Sequence, residues 1–143
     1  MPRFVLFAVL TALMFAAAPL APGHAEDKPK AKAVKKPVGT WVREADGWTI
    51  TFGIKDDELT LDMKDGDGKT IRCEAAYAVT KTGVLFATML KVTKKGIDTP
   101  ADKGDLFSFA FSVNDKEMTV SDLKGSHVND DARQLIEGVY KKK

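Results

Sequence analysis

Residues 48–64, WTITFGIKDDELTLDMK, contain two runs in which large apolar and polar side chains alternate. The apolar positions are Trp48, Ile50, Phe52 and Ile54 in the first run and Leu59, Leu61 and Met63 in the second. A period of two is typical of a β-strand with one packed face and one wet face. The polar residues between the runs are too few for a parallel return, so this stretch predicts an antiparallel hairpin.

The same alternation continues along the chain on both sides of this hairpin. It predicts further strands over 40–43, 70–79, 84–92, 107–113 and 118–120, and a last strand that contains Val139 and Tyr140. Short polar turns join these strands, and the one long connection is Thr93–Lys103. The connections therefore predict a meander of sequential antiparallel strands.

One segment near the C-terminus is typical of a helix. In Asn129–Glu137, Asn129 or Asp130 can cap the first turn, and Gly138 ends the pattern. The alternative is a single helical turn followed by a strand over 135–140.

About eight strands in a meander leave two long edges unless the sheet closes on itself. We therefore predict that residues 38–143 form an all-β domain: a small antiparallel up-and-down barrel with one short C-terminal helix. The alternative is a two-layer sandwich, or a curved sheet closed by the helix.

Residues 1–25 have the pattern of a cleaved signal peptide. Arg3 precedes an apolar run over 4–20, and Gly23-His24-Ala25 provides small residues one and three positions before the cut. We predict secretion across the inner membrane, to the periplasm or beyond, with a mature chain that starts at Glu26 and has no transmembrane segment. An uncleaved anchor helix is the alternative.

The charges fall into three zones although the whole chain is near balance at +2. Residues 26–37, EDKPKAKAVKKP, carry five lysines and almost no apolar surface, which predicts a disordered tether. Val38–Tyr140 holds 13 basic and 18 acidic residues, a net charge of −5, and three lysines follow. The basic ends are either solvated or bind an anionic envelope polymer. They lack the interleaved aromatics of a nucleic-acid site, so we predict no nucleic-acid partner.

Gly39-Thr40-Trp41 at the start of the first strand resembles the Gly-x-Trp signature of lipocalins and other calycins. The segments GTWVREADGWTITF, VTKTGVLF, GDLFSFAFSV and EGVYKK are similar to uncharacterised small secreted bacterial proteins with a lipocalin-like domain. The resemblance implies that Trp41 plugs the closed end of the barrel beneath a basic residue, with Arg133 and Lys141 as candidates. It also implies a small apolar ligand in the interior, with Thr93–Lys103 as a lid.

The interior has two interpretations. The predicted inward aromatic residues are Trp48, Phe52, Tyr77, Phe86, Phe107, Phe109 and Phe111. They either line a cavity for a small hydrophobic molecule or fill a small barrel completely. In the second case the chain is an envelope-associated interaction domain that meets a polymer or protein through its basic ends or an outer apolar patch. The predicted outward apolar residues are Leu85, Met89, Leu106 and Ala110.

The sequence offers little for catalysis. After cleavage the one remaining histidine is His127, next to Ser126, and adjacent residues do not form a nucleophile–base pair without a third group to orient the ring. Cys73 falls in the inward register, which predicts an inert thiol. We predict a non-enzymatic protein without a cofactor.

A weak metal candidate lies in residues 63–74, MKDGDGKTIRCE. On a twelve-residue calcium loop, Asp65 and Asp67 occupy the third and fifth positions and Glu74 the twelfth. Met63 stands where the first ligand belongs. The favoured interpretation is a hairpin turn in which glycine supplies positive φ.

Overall fold

The structure, a computed structural model, describes residues 33–143. The predicted signal peptide, its cleavage before Glu26 and most of the lysine-rich segment 26–37 lie outside the described residues. Within the described part of the chain, no helix is both long and apolar enough to cross a membrane.

Eight strands and one helix follow one another over residues 33–143. They are β1 (Gly39–Ala45), β2 (Trp48–Ile54), β3 (Glu58–Asp65), β4 (Thr70–Val79), β5 (Val84–Lys95), β6 (Leu106–Val113), β7 (Glu117–Gly125), α1 (Asp130–Ile136) and β8 (Gly138–Lys142). Each strand pairs with its neighbours in sequence, and β8 closes onto β1. The predicted up-and-down barrel is confirmed, and the sandwich alternative is wrong.

The up-and-down order gives the barrel two different ends. At the Trp41 end, residues 33–38 enter β1, and the turns 55–57, 80–83 and 114–116 are short. At the helix end, the longer connection over 96–105 lies beside the segment that contains α1. The helix end therefore has longer connecting segments than the Trp41 end.

Inward side chains pack together in the barrel. The ring of Phe52 lies 5.5 Å from that of Phe109 and 5.2 Å from that of Tyr140, measured between centroids. Phe107 stacks on Phe109 at 6.4 Å. Because Phe52 and Phe109 belong to opposite strands, β2 and β6, their contact spans the barrel interior. Burial of each such ring contributes about 1.5–3 kcal/mol to folding.

β5 contains a β-bulge at Leu90. Glu74 of β4 pairs with Lys91, whereas the next residue, Ala75, pairs with Met89, so Leu90 has no partner in β4. An inserted residue reverses the alternation of faces on one side of the bulge relative to the other.

The bulge decides which side chains of β5 face the core. Leu85 and Ala87 are buried and Met89 packs against the core, whereas Phe86 is largely exposed. The predictions of an inward Phe86 and of outward Leu85 and Met89 are therefore wrong. They assumed an unbroken period of two over 84–92, and the inserted residue breaks that period.

A second bulge lies in β7 and anchors α1. Asp122 at this bulge has a positive φ of 53°, and the backbone of the next residue, Leu123, bonds to side chains near the helix. The Leu123 N–H donates to Glu137 Oε1 at 2.7 Å, and its carbonyl accepts from Arg133 Nε at 3.1 Å. Polar side chains of the helix segment thus satisfy the backbone groups of Leu123.

The predicted C-terminal helix is confirmed as α1, and the strand alternative is wrong. The side chain of Asn129 caps the helix by accepting from the N–H of Ala132 at 2.8 Å. Leu135 and Ile136 pack against the barrel core, and the Tyr140 hydroxyl donates to the Ile136 carbonyl at 2.6 Å. The helix therefore covers part of the helix end.

Candidate functional site

Trp41 closes one end of the barrel. Its side chain is buried, and its Nε1 donates to the carbonyl oxygen of Pro37 at 2.7 Å. The basic group over the indole ring is Lys142, whose Nζ lies 5.5 Å from the ring centroid. The candidates Arg133 and Lys141 are therefore wrong. Lys142 stands opposite Trp41 in the β1–β8 register. Arg133 bonds to the Leu123 carbonyl, and Lys141 bonds to Glu117.

The last residues of the predicted tether lie against the Trp41 end. Pro37 is buried, and Val34 packs against the core. Lys36 Nζ donates to the Asp56 carbonyl at 2.8 Å and lies 5.8 Å from the centroid of the Tyr77 ring. Val34, Lys36 and Pro37 thus contact the Trp41 end of the barrel.

Gly39 joins this segment to β1 with a φ of 141°, a conformation that L side chains rarely adopt. A Cβ on Gly39 would lie 3.4 Å from Lys142 Cε and 3.5 Å from Trp41 Nε1. Glycine therefore lets the chain turn beside the indole and the lysine.

The structure places six of the seven predicted inward aromatic residues on the inner side of the barrel wall. Phe52, Phe107, Phe109 and Phe111 are buried in the core. Trp48 and Tyr77 are half-buried, and the Tyr77 hydroxyl donates to the Lys55 carbonyl. Phe86 is the exception and points outward. The four buried rings are part of the packed core.

The carboxylate of Asp65 holds the β3–β4 turn. Asp65 Oδ1 accepts from the backbone N–H of Asp67 at 3.0 Å and of Lys69 at 2.7 Å, and Gly68 has a φ of 82°. Within residues 33–143, no three histidine, cysteine, aspartate or glutamate side chains come together in a way that would hold a metal ion. The geometry around Asp65 is that of a hairpin turn.

His127 and Ser126 take part in local contacts at the helix end. His127 Nε2 lies 3.5 Å from Asp105 Oδ2, and the Ser126 hydroxyl oxygen accepts from the Leu106 N–H at 3.3 Å. The Ser126 N–H also donates to the Leu106 carbonyl at 3.0 Å, which extends the pairing of β6 and β7. These bonds give Ser126 a role in strand pairing.

Cys73 lies in the core, as its inward register predicts. Burial and, to a smaller extent, the nearby Asp62 carboxylate together raise the pKa of its thiol to about 11. Because the thiolate is the reactive form, this thiol is poorly suited to nucleophilic chemistry near neutral pH.

The outer wall of β4, β5 and β6 has an uncharged surface that we call the Phe86 face. It consists of two cross-strand rows, Ala78–Phe86–Ser108 and Ala76–Thr88–Leu106. Phe86 is 53% exposed and Leu106 is 59% exposed, and the small side chains around them leave a groove of about 620 Å³. In a chain with 29% charged residues, six neighbouring uncharged positions on an outer wall distinguish this surface.

Cations border the Phe86 face. Leu90, 53% exposed at the bulge, extends the apolar surface along β5, and the exposed Lys91 follows it. Lys124 of β7 stands beside Ser108 and lines the groove. The surface therefore combines protruding apolar side chains with a basic border.

The sequence predicts the outward position of Leu106 in the Phe86 face but not that of Phe86. Leu106 alternates with Phe107, which predicts that Leu106 points outward, and this prediction is confirmed. Phe86 was missed because the bulge at Leu90 reverses the register of β5. Ala76 and Ala78 alternate with Ala75 and Tyr77, and this pattern indicates an outer wall of low polarity on β4.

The chain matches no protein-family model, no curated protein and no solved structure.

Proposed function

We propose that this chain is an exported, non-enzymatic, lipocalin-like domain that binds the anionic lipid surface of the cell envelope through the Phe86 face. In this proposal the barrel is a solid scaffold. The observation that carries it is the pair of exposed apolar side chains, Phe86 and Leu106, on an uncharged wall bordered by lysines.

The apolar part of the face supports insertion at the headgroup boundary. Phe86 and Leu106 are diagonal neighbours on β5 and β6, and Leu90 lies farther along the same side of β5. Transfer of a large apolar side chain out of water is worth about 1.5–3 kcal/mol when its burial is complete. Three partly inserted side chains are therefore enough for reversible binding to a membrane surface.

The charges support an anionic rather than a neutral surface. Val38–Tyr140 has a net charge of −5, so most of the barrel is repelled by anionic headgroups. Lys91 and Lys124 border the Phe86 face and would contact those headgroups at about 1 kcal/mol for each lysine. The lysines thus favour one orientation, with the Phe86 face toward the lipid.

The packed interior supports a binding surface on the outside. Phe52 contacts both Phe109 and Tyr140 inside the barrel, and Leu135 and Ile136 of α1 pack on the core at the helix end. A small apolar ligand in the interior would have to displace these side chains. Binding of a small apolar ligand in the interior remains a prediction, which an apolar fluorescent probe tests.

The test is sedimentation of the purified secreted protein with vesicles of phosphatidylglycerol and phosphatidylcholine, compared with vesicles of phosphatidylcholine alone. We expect binding to the anionic vesicles that weakens as salt is added. Phe86→Ser should weaken binding about tenfold, the equivalent of about 1.4 kcal/mol. Val38→Ser is the matched control, since Val38 is 44% exposed but lies before β1, away from the face.

Three results would contradict the proposal. One is absence of binding to anionic vesicles. Another is equal loss of binding in Phe86→Ser and Val38→Ser. The third is one-to-one binding of an apolar fluorescent probe that Phe86→Ser leaves unchanged, because that result would favour the interior site.

A further inference from the structure

The barrel wall has a gap between β1 and β8 at the helix end. The pairing of these strands consists of Trp41 with Lys142 and Val42 with Lys141, and it stops there among the described residues. Continuation of this register would pair residues 43–45 with residues 138–140. We call the space between these two segments the β1–β8 gap.

Arg43 extends into the β1–β8 gap from the inner side of β1. It alternates with the buried Trp41 and pairs with Ile50, which is also buried, so its side chain starts on the inner side of the wall. Its guanidinium lies against Gly138: a Cβ on Gly138 would be 1.2 Å from Nη1 and 2.4 Å from Cζ. The guanidinium thus occupies the space that a side chain at position 138 would need.

The positive charge of Arg43 has no protein counter-charge. Its Nε is buried without a hydrogen-bond partner, and within residues 33–143 no carboxylate forms an ion pair with it. The Tyr140 hydroxyl donates to the Ile136 carbonyl and makes no hydrogen bond to Arg43 Nε. An enclosed guanidinium N–H without an acceptor costs free energy that an anion would recover.

The gap opens to the outside as a groove of about 680 Å³. Its lining includes Arg43, Val42 and Val139, and Lys141 and Glu44 also border it. The Glu44 carboxylate disfavours a multiply charged anion, while the planar guanidinium suits a carboxylate in bidentate geometry.

We propose that the β1–β8 gap binds an organic monocarboxylate with a short apolar tail, whose carboxylate pairs with Arg43 and whose tail lies against Val42 and Val139. This site is independent of the Phe86 face, which lies on β4 to β6.

The test uses octanoate as the probe and purified secreted protein, with binding followed by calorimetry and by changes in backbone amide NMR shifts. We expect octanoate to shift the amides of Gly138 and Val139 and to raise Tm with concentration. Octanol, which has no charge, should bind at least about tenfold more weakly, a difference of about 1.4 kcal/mol.

Two variants separate a ligand-binding arginine from a structural one. Arg43→Met should lose octanoate binding by at least about tenfold, while its unfolding midpoint without ligand should stay the same or rise, because an uncompensated charge is removed. Arg72→Gln is the matched control, since Arg72 is exposed on β4 beside Asp62, and it should bind octanoate normally.

The proposal is overturned if octanoate fails to bind the wild-type protein at millimolar concentration, or if Arg43→Met binds it as well as the wild type. It is also overturned if inorganic phosphate binds more tightly than octanoate, or if the amides that shift are those of the Phe86 face.

Discussion

Leu85 and Phe86 are neighbours in β5 and lie on opposite sides of the barrel wall: Leu85 is fully buried, with 0% of its surface exposed, and Phe86 is 53% exposed. Leu85 stands opposite Phe109 in β6, in the centre of the core. Phe86 stands between Ala78 and Ser108 on the outer wall. One side chain therefore serves folding, and the next is free for a partner.

This relationship predicts opposite results for truncation at adjacent positions. Leu85→Ala should lower the free energy of unfolding by about 2–5 kcal/mol, because it leaves a cavity in the core. Phe86→Ala should change it by less than about 0.5 kcal/mol, as surface substitutions usually do. Urea denaturation measures both. A larger loss for Phe86→Ala than for Leu85→Ala would show that β5 has the other register.

Trp41 is expected to be the main support of its end of the barrel. Trp41→Ala should lower the free energy of unfolding by about 3–5 kcal/mol, since it removes a buried indole. Trp41→Phe should lower the free energy of unfolding by less, because it retains a buried ring. The remaining loss comes from the smaller ring and the missing hydrogen bond to Pro37. Thermal unfolding compares the two with Trp48→Phe at a half-buried site. An unchanged Tm in Trp41→Ala would contradict the role of Trp41 as a plug.

Glu137 is expected to hold the helix segment to the bulge in β7. Glu137→Ala removes the acceptor for the Leu123 N–H and should cost about 1–3 kcal/mol, because that donor is left without a partner. Glu137→Gln retains an acceptor oxygen and serves as the control. Equal unfolding midpoints for the two variants would show that this bond contributes little.

The Cys73 thiol gives a pH dependence with a definite sign. Its pKa is raised in the folded state from 9.0 to about 11, so the folded protein retains a proton that the unfolded chain releases. The stabilising effect is complete below pH 9 and is lost as the pH rises toward 11, with a slope of up to about 1.4 kcal/mol per pH unit.

Cys73→Ala should therefore lose less stability than the wild type between pH 9 and pH 10.5, as measured by urea denaturation. The raised pKa of Tyr140 acts in the same direction in both proteins, which is why the comparison is made between slopes. Identical slopes would contradict the buried environment assigned to Cys73.

The strands and the closure of the barrel follow from a period of two, because each alternating run has one face that must be buried. β2 and β4 begin and end at the residues that this alternation indicates. The face of each side chain is harder to predict where a strand contains a bulge. Nothing in the local sequence around Leu90 or Asp122 marks the inserted residue, which is set by pairing with a distant strand.

The arrangements at the two ends of the β1–β8 pair depend on register in the same way. Lys141 and Lys142 are adjacent and chemically identical, and only the pairing with β1 decides that Lys142 covers Trp41. Likewise, the contact between Arg43 and Gly138 joins residues that are distant in sequence, and it forms where the pairing of β1 and β8 stops.

The most direct test of the central claim locates the lipid contact on the barrel surface. An environment-sensitive fluorophore attached at Ser108→Cys would report on the Phe86 face, and the same fluorophore at Thr49→Cys would report on β2. The buried Cys73 should remain unlabelled in the folded protein. On addition of anionic vesicles, we predict a blue shift of the emission at position 108 and no shift at position 49. An equal shift at both positions, or a shift at position 49 alone, would contradict binding through the Phe86 face.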